Sequence, residues 1–106
     1  MRTERKKSDA SAFLEKLTGG PLTFRRVLRA TRLGDEMTQA EFSARLGITK
    51  QHLSDIENGR KVVSPERAYK WAKKLGYMEL QWAELALQDT LDKAHMRVRV
   101  HLEKAA

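Results

Sequence analysis

Cysteine is absent from the 106 residues, which excludes a disulfide framework and a thiolate metal site. No apolar run approaches the ~18–20 residues needed to span a bilayer. Residues 1–10 are charged and lack the apolar stretch of a secretory leader, so the expectation is a cytoplasmic protein without membrane contact. The three histidines, His52, His95 and His101, fall on different segments. None makes a His-x3-His or Glu-x2-His pair, so no metal site is expected. There is no glycine-rich phosphate loop, and no Ser/His/Asp set sits in a strand-turn-helix context. No catalytic residue and no cofactor are therefore assigned, and the chain is not read as an enzyme. An aromatic stacking platform of the kind that binds single-stranded RNA is also missing.

What is present is positive charge. Lys and Arg number 21 against 14 Asp and Glu, for a net charge of +7. The excess is concentrated toward the front: +5 over residues 1–35 and +3 over 36–78, against −1 over 79–106. A basic front suits a polyanionic partner, and the near-neutral rear is left for another task. The length admits one domain with arms and only a modest core, so support from a second subunit is reasonable.

Along the chain, residues 1–12 are polar and basic and read as an arm. Phe13, Leu14 and Leu17 form a short apolar cluster, closed by Gly19-Gly20-Pro21 and read as a short helix. A first long helix is predicted over 22–33, with Phe24, Val27 and Leu28 on its apolar stripe and Arg25, Arg26, Arg29 and Arg32 elsewhere. Thr38 to Glu41 has the form of a capping box. The short helix it opens has Phe42 and Leu46 facing inward, and Gly47 stops it. Thr49 caps a second short helix, 50–58, with Leu53 and Ile56 inward. Ser64-Pro65 opens a helix carrying Ala68, Trp71, Ala72 and Leu75, which ends at Gly76. A fifth helix is predicted over 78–94. Its main stripe is Leu80, Ala83, Leu87, Leu91 and Ala94, widened by Trp82, Leu85 and Ala86, so it requires two sets of neighbours. Beyond Met96 the period becomes two: Val98, Val100 and Leu102 alternate with Arg97, Arg99 and His101. A lone strand leaves its backbone groups unpaired, and the expected partner is the same segment of a second subunit.

Two short helices joined by a tight turn at Gly47 present the second as a rod that fits a major groove ~12 Å wide. With its apolar positions turned inward, Thr49, Lys50, Gln51, His52, Ser54 and Asp55 remain outside or at its leading end. Lysine suits guanine acceptors, and glutamine pairs bidentately with adenine.

These residues resemble the lambda-repressor/Cro-like helix-turn-helix family, also called xenobiotic-response-element regulators. The match is carried by Thr38-Gln39, Phe42, Leu46-Gly47-Ile48-Thr49, the run Leu53 to Arg60, and Ser64-Pro65 through Tyr77. It covers about residues 22–77. Two departures are Ser43, where alanine is usual, and Val62-Val63 in place of a proline before Ser64. The resemblance implies that Gln39 contacts phosphate and braces the reading helix, that Lys50 and Gln51 read bases, and that Asn58 and Arg60 touch the backbone. It also implies an internal partner for Glu57.

The sequence thus predicts an all-α fold of five helices with a short C-terminal β-strand used for dimerisation. It divides into an arm (1–21), a DNA-binding domain (22–77) and a dimerisation segment (78–106). The expected function is sequence-specific binding of double-stranded DNA at a pseudo-palindromic operator, by a homodimeric transcriptional regulator that acts as a repressor. Base contacts are assigned to Thr49, Lys50, Gln51 and Ser54, and phosphate contacts to Gln39, Asn58, Arg60 and Lys61. Dimerisation falls to Leu87, Leu91, Val98, Val100 and Leu102. The alternative is an antitoxin that binds a toxin protein and regulates its own operon.

Overall fold

Each of the first four helices starts at a hydroxyl that the sequence supplies. The computed structural model describes residues 22–105, in which the helices are α1 (Phe24–Gly34), α2 (Gln39–Leu46), α3 (Lys50–Glu57), α4 (Pro65–Leu75) and α5 (Glu79–Lys93). The arm and the short helix expected before Leu22 lie outside the described residues. Thr23, Thr38, Thr49 and Ser64 accept from the amides of Arg26, Glu41, His52 and Arg67 respectively, each three residues on. At α2 the box is complete, since Glu41 Oε1 also accepts from the Thr38 amide at 2.9 Å. Gly47 and Gly76 close α2 and α4 with φ of 79° and 85°, a left-handed conformation that L side chains rarely adopt.

One core joins all five helices. Phe24 and Leu28 of α1, Phe42 and Leu46 of α2, and Leu53 and Ile56 of α3 are buried together. Ala68, Trp71 and Ala72 of α4 and Trp82 and Ala86 of α5 complete it. Ser43 is buried where α2 meets its neighbours, and its hydroxyl bonds back to the Ala40 carbonyl at 3.0 Å. Ala44, the next small residue, faces solvent. Val63 is also buried and plugs the loop between α3 and α4.

Helix α5 packs chiefly on α4 and also touches α1, so it finds two sets of neighbours within the chain. Its buried face differs from the predicted stripe. Trp82, Ala83 and Ala86 are buried, Leu80, Leu87 and Leu91 are half-buried, and Ala94 is exposed. Trp82 sets this rotation: the Phe24 ring meets it edge-on at 5.5 Å and Tyr77 stacks on it at 5.4 Å. The largest side chain is buried against these two rings, and the leucines turn outward accordingly.

The tail corrects one premise of the expected strand, that nothing within the chain engages its backbone. Among the described residues there is no β-strand; instead the tail after Met96 runs back antiparallel along α5. The Gln88 side chain donates to the Val98 carbonyl and accepts from the Val100 amide, both at 2.8 Å. Those are the two bonds that one residue of a parallel neighbouring strand would make. One turn earlier on α5, Glu84 accepts from the Leu102 amide at 2.8 Å. Side chains of the chain's own helix thus satisfy one edge of the tail, so that edge does not require a neighbouring strand.

Candidate nucleic-acid interface

Helix α3 buries Leu53, Ile56 and Glu57 and turns the opposite face to solvent. Thr49, Lys50 and Gln51 are exposed at its leading end, and Ser54 is half-buried one turn later. Thr49 Oγ1 is used in capping at 3.0 Å from the His52 amide. The amides ahead of His52 lack intrahelical acceptors and bring partial positive charge to the same spot. Burial first, then Lys61 and Arg67, push the His52 imidazole below its ordinary value.

The outer face is organised around Asp55, which sequence reasoning left as one more outward residue. Its Oδ1 accepts from Gln51 Nε2 at 3.0 Å and from Arg60 Nε at 2.9 Å, and Lys61 Nζ stands 3.9 Å from Oδ2. The Arg60 hydrogen bond, then that of Gln51, hold this carboxyl below the usual carboxylate range. One anion therefore orients a residue expected to read bases and two expected to hold phosphate. The Gln51 amide keeps a second hydrogen and its carbonyl oxygen for a base edge. An i,i+4 spacing could have flagged the Gln51–Asp55 pair. The Arg60 bond depends on the turn after α3, where Gly59 has φ 78°.

Behind α3, Glu57 accepts two bonds from Arg32, Nε to Oε2 at 2.7 Å and Nη2 to Oε1 at 2.9 Å. Gln39 Nε2 adds a third at 3.0 Å. Gln39, expected at phosphate, thus stands at the start of α2 and braces α3 through Glu57. Arg32, whose period put it on the polar face of α1, is buried by this pairing. Asn58 caps α3 by donating to the Ser54 carbonyl at 2.8 Å, and its side chain is exposed.

Between α1 and α3 lies an open groove of about 660 Å³ lined by Arg25, Arg26, Arg29, Gln39, Glu57 and Asn58. Glu57 is neutralised by Arg32, so the groove presents net positive charge. Arg25 is fixed there by donating to the Glu57 carbonyl at 3.3 Å. From the far side, Lys93 of α5 donates to the Arg60 carbonyl at 3.0 Å and reaches that of Gly59 at 3.4 Å. The expected phosphate residues Gln39, Asn58, Arg60 and Lys61 and the expected base readers are therefore carried on and around one helix. Leu87 and Leu91 lie on the outer half of α5, with Val98, Val100 and Leu102 beside it in the tail.

A short helix with one exposed face, set across a tight turn from α2, and a basic groove beside it have the form of a DNA-binding helix-turn-helix module. A helix-turn-helix family model matches residues 28–82, slightly more than half of the sequence. The chain belongs to the lambda-repressor/Cro-like helix-turn-helix family, a family of DNA-binding regulators, and it is a DNA-binding transcriptional regulator. No curated protein and no solved structure matches it. Among the described residues no helix is long and apolar enough to cross a membrane.

Proposed function

We propose that the protein is a sequence-specific repressor that binds a pseudo-palindromic operator as a homodimer. The observation that carries this reading is the outer face of α3, where Lys50 and Gln51 are exposed and Asp55 holds Gln51 in place. In this reading Thr49, Lys50, Gln51 and Ser54 set sequence preference. Gln39, Asn58, Arg60 and Lys61 hold phosphates and fix the register. The arginines of the α1 groove extend the phosphate contacts away from α3. Leu87, Leu91, Val98, Val100 and Leu102 supply the subunit contact.

Selection of bound sequences from a random duplex pool tests it. The expected product is an inverted repeat with half-sites ~34 Å apart, about one helical turn. A reporter placed behind that repeat should lose expression when the protein is supplied. An unenriched pool, or one lone half-site, overturns the proposal, and increased reporter expression overturns the repressor assignment. An antitoxin role is the alternative, favoured by the tail, whose outer edge has no backbone partner within the described chain and is open to a strand of another protein. Stoichiometric copurification with a small basic toxin from cells carrying the neighbouring genes supports that role.

A further inference from the structure

In an extended chain the backbone groups of alternate residues point to opposite edges. Bonds to Gln88 and Glu84 of α5 engage the even-numbered residues of the tail, Val98, Val100 and Leu102. The amides and carbonyls of Arg97, Arg99, His101 and Glu103 are thereby turned to the other edge, where they bond nothing within the described chain, and all four residues are exposed. A partner strand on this edge must pair odd-numbered residues with odd-numbered residues.

We propose that the occupant of this edge is the tail of a second copy, antiparallel and centred on Val100. This rests on the homodimer reading above and gives it a register. Centring on Val100 sets Arg97 opposite Glu103 of the other copy, twice by symmetry. It sets Val98 opposite Leu102, and Val100 opposite itself, on the face that bears the apolar side chains. Arg99 falls opposite His101, whose imidazole stands 3.4 Å from Glu84 of α5, rather than opposite a second guanidinium. The exchanged backbone bonds number about eight, two for each odd-numbered pair. Centring on Arg99 sets two guanidiniums against each other. Centring on His101 also pairs Arg99 with Glu103, but it sets Val98 against Lys104, sets the two imidazoles against each other and leaves Arg97 without an acid. Charge complementarity and the apolar face together select Val100. Within the described chain neither Arg97 nor Glu103 has a side-chain partner, so reversing either charge removes no contact of the monomer.

Sedimentation of the full chain at low ionic strength tests the register. Arg97→Glu and Glu103→Arg should each raise the dimer dissociation constant about tenfold or more, since two opposite-charge pairs become two like-charge pairs. An equimolar mixture of the two variants should regain wild-type affinity as a heterodimer, because every cross-strand pair is then of opposite charge. Arg99→Glu should change little, and circular dichroism of each variant should match the wild type. A wild-type chain that stays monomeric overturns the dimer reading itself. A wild-type dimer indifferent to both reversals leaves the dimer standing and overturns the register. Recovery by mixing Arg99→Glu, rather than Arg97→Glu, with Glu103→Arg also overturns it, in favour of centring on His101. Displacement of the second copy by a toxin strand overturns the choice of occupant.

Discussion

At the scale of single residues, the two faces of α3 depend on two carboxylates with opposite settings. Glu57 is buried with a side chain only 3% exposed and is held by Arg32. Removing one member of such a pair strands the other charge. Arg32→Ala should therefore lower unfolding free energy by about 3 kcal/mol in denaturant titration. Replacing Glu57 as well should recover part of that loss. Asp55 is at the surface and acts by orientation. Gln51→Ala should cost ~1–3 kcal/mol at the selected operator and little on random duplex; equal losses on both in a filter-binding titration would remove Gln51 as a reader. The sequence made the outward set on α3 legible, because helical period alone separates it from Leu53 and Ile56. It did not make Arg32 legible. Its partner is 25 residues away, and by periodicity an arginine in that position belongs to the solvent face.

Among whole elements, the helix starts and stops were legible almost to the residue, since a cap is a contact between residues three apart. The rotation of α5 was not, because it is decided by Trp82 meeting Phe24 and Tyr77 from other elements. Nor was the link from α5 to α1. Asp89 accepts from the Phe24 amide at 3.1 Å and so supports the start of α1 from outside. Burial raises this carboxyl to about 6, against bonds from the Phe24 and Arg25 amides that lower it, and its unperturbed value is 3.8. A folded-state value above the unfolded one means that the protonated form is favoured by folding. The group's contribution is fully present below pH 3.8 and is lost as pH rises through about 6. Asp89→Asn should accordingly flatten the change in Tm between pH 7 and pH 5, relative to wild type. Parallel pH profiles for the two proteins would show that Asp89 does not titrate in this window.

For the whole molecule, charge is divided helix by helix: α1, which lines the groove, carries four arginines and no acid, α4 carries four basic residues against one acid, and α5 carries four acids against one lysine. Counterion release then governs affinity for any duplex. Arg60→Ala should weaken cognate and random DNA alike, and should flatten the salt dependence of log K by about one unit. A slope equal to wild type would place Arg60 off the phosphates. The tail shows where sequence reading stopped. Its period of two was plain, but the glutamine and glutamate that satisfy its inner edge lie on a helix that precedes it by ten residues or more.

Lys93 has a consequence for how the parts move together. Helix α3 has no basic residue in its last turn, so the partial negative charge of its carbonyl end is offset from outside, by the Arg25 guanidinium at the Glu57 carbonyl and, in the turn just beyond, by an ammonium ion on α5 that reaches Gly59 and Arg60. Fraying at the rear of the molecule thereby loosens the turn that leaves α3, and amide exchange at Arg60 and Lys61 should accelerate in step with exchange in the final turn of α5.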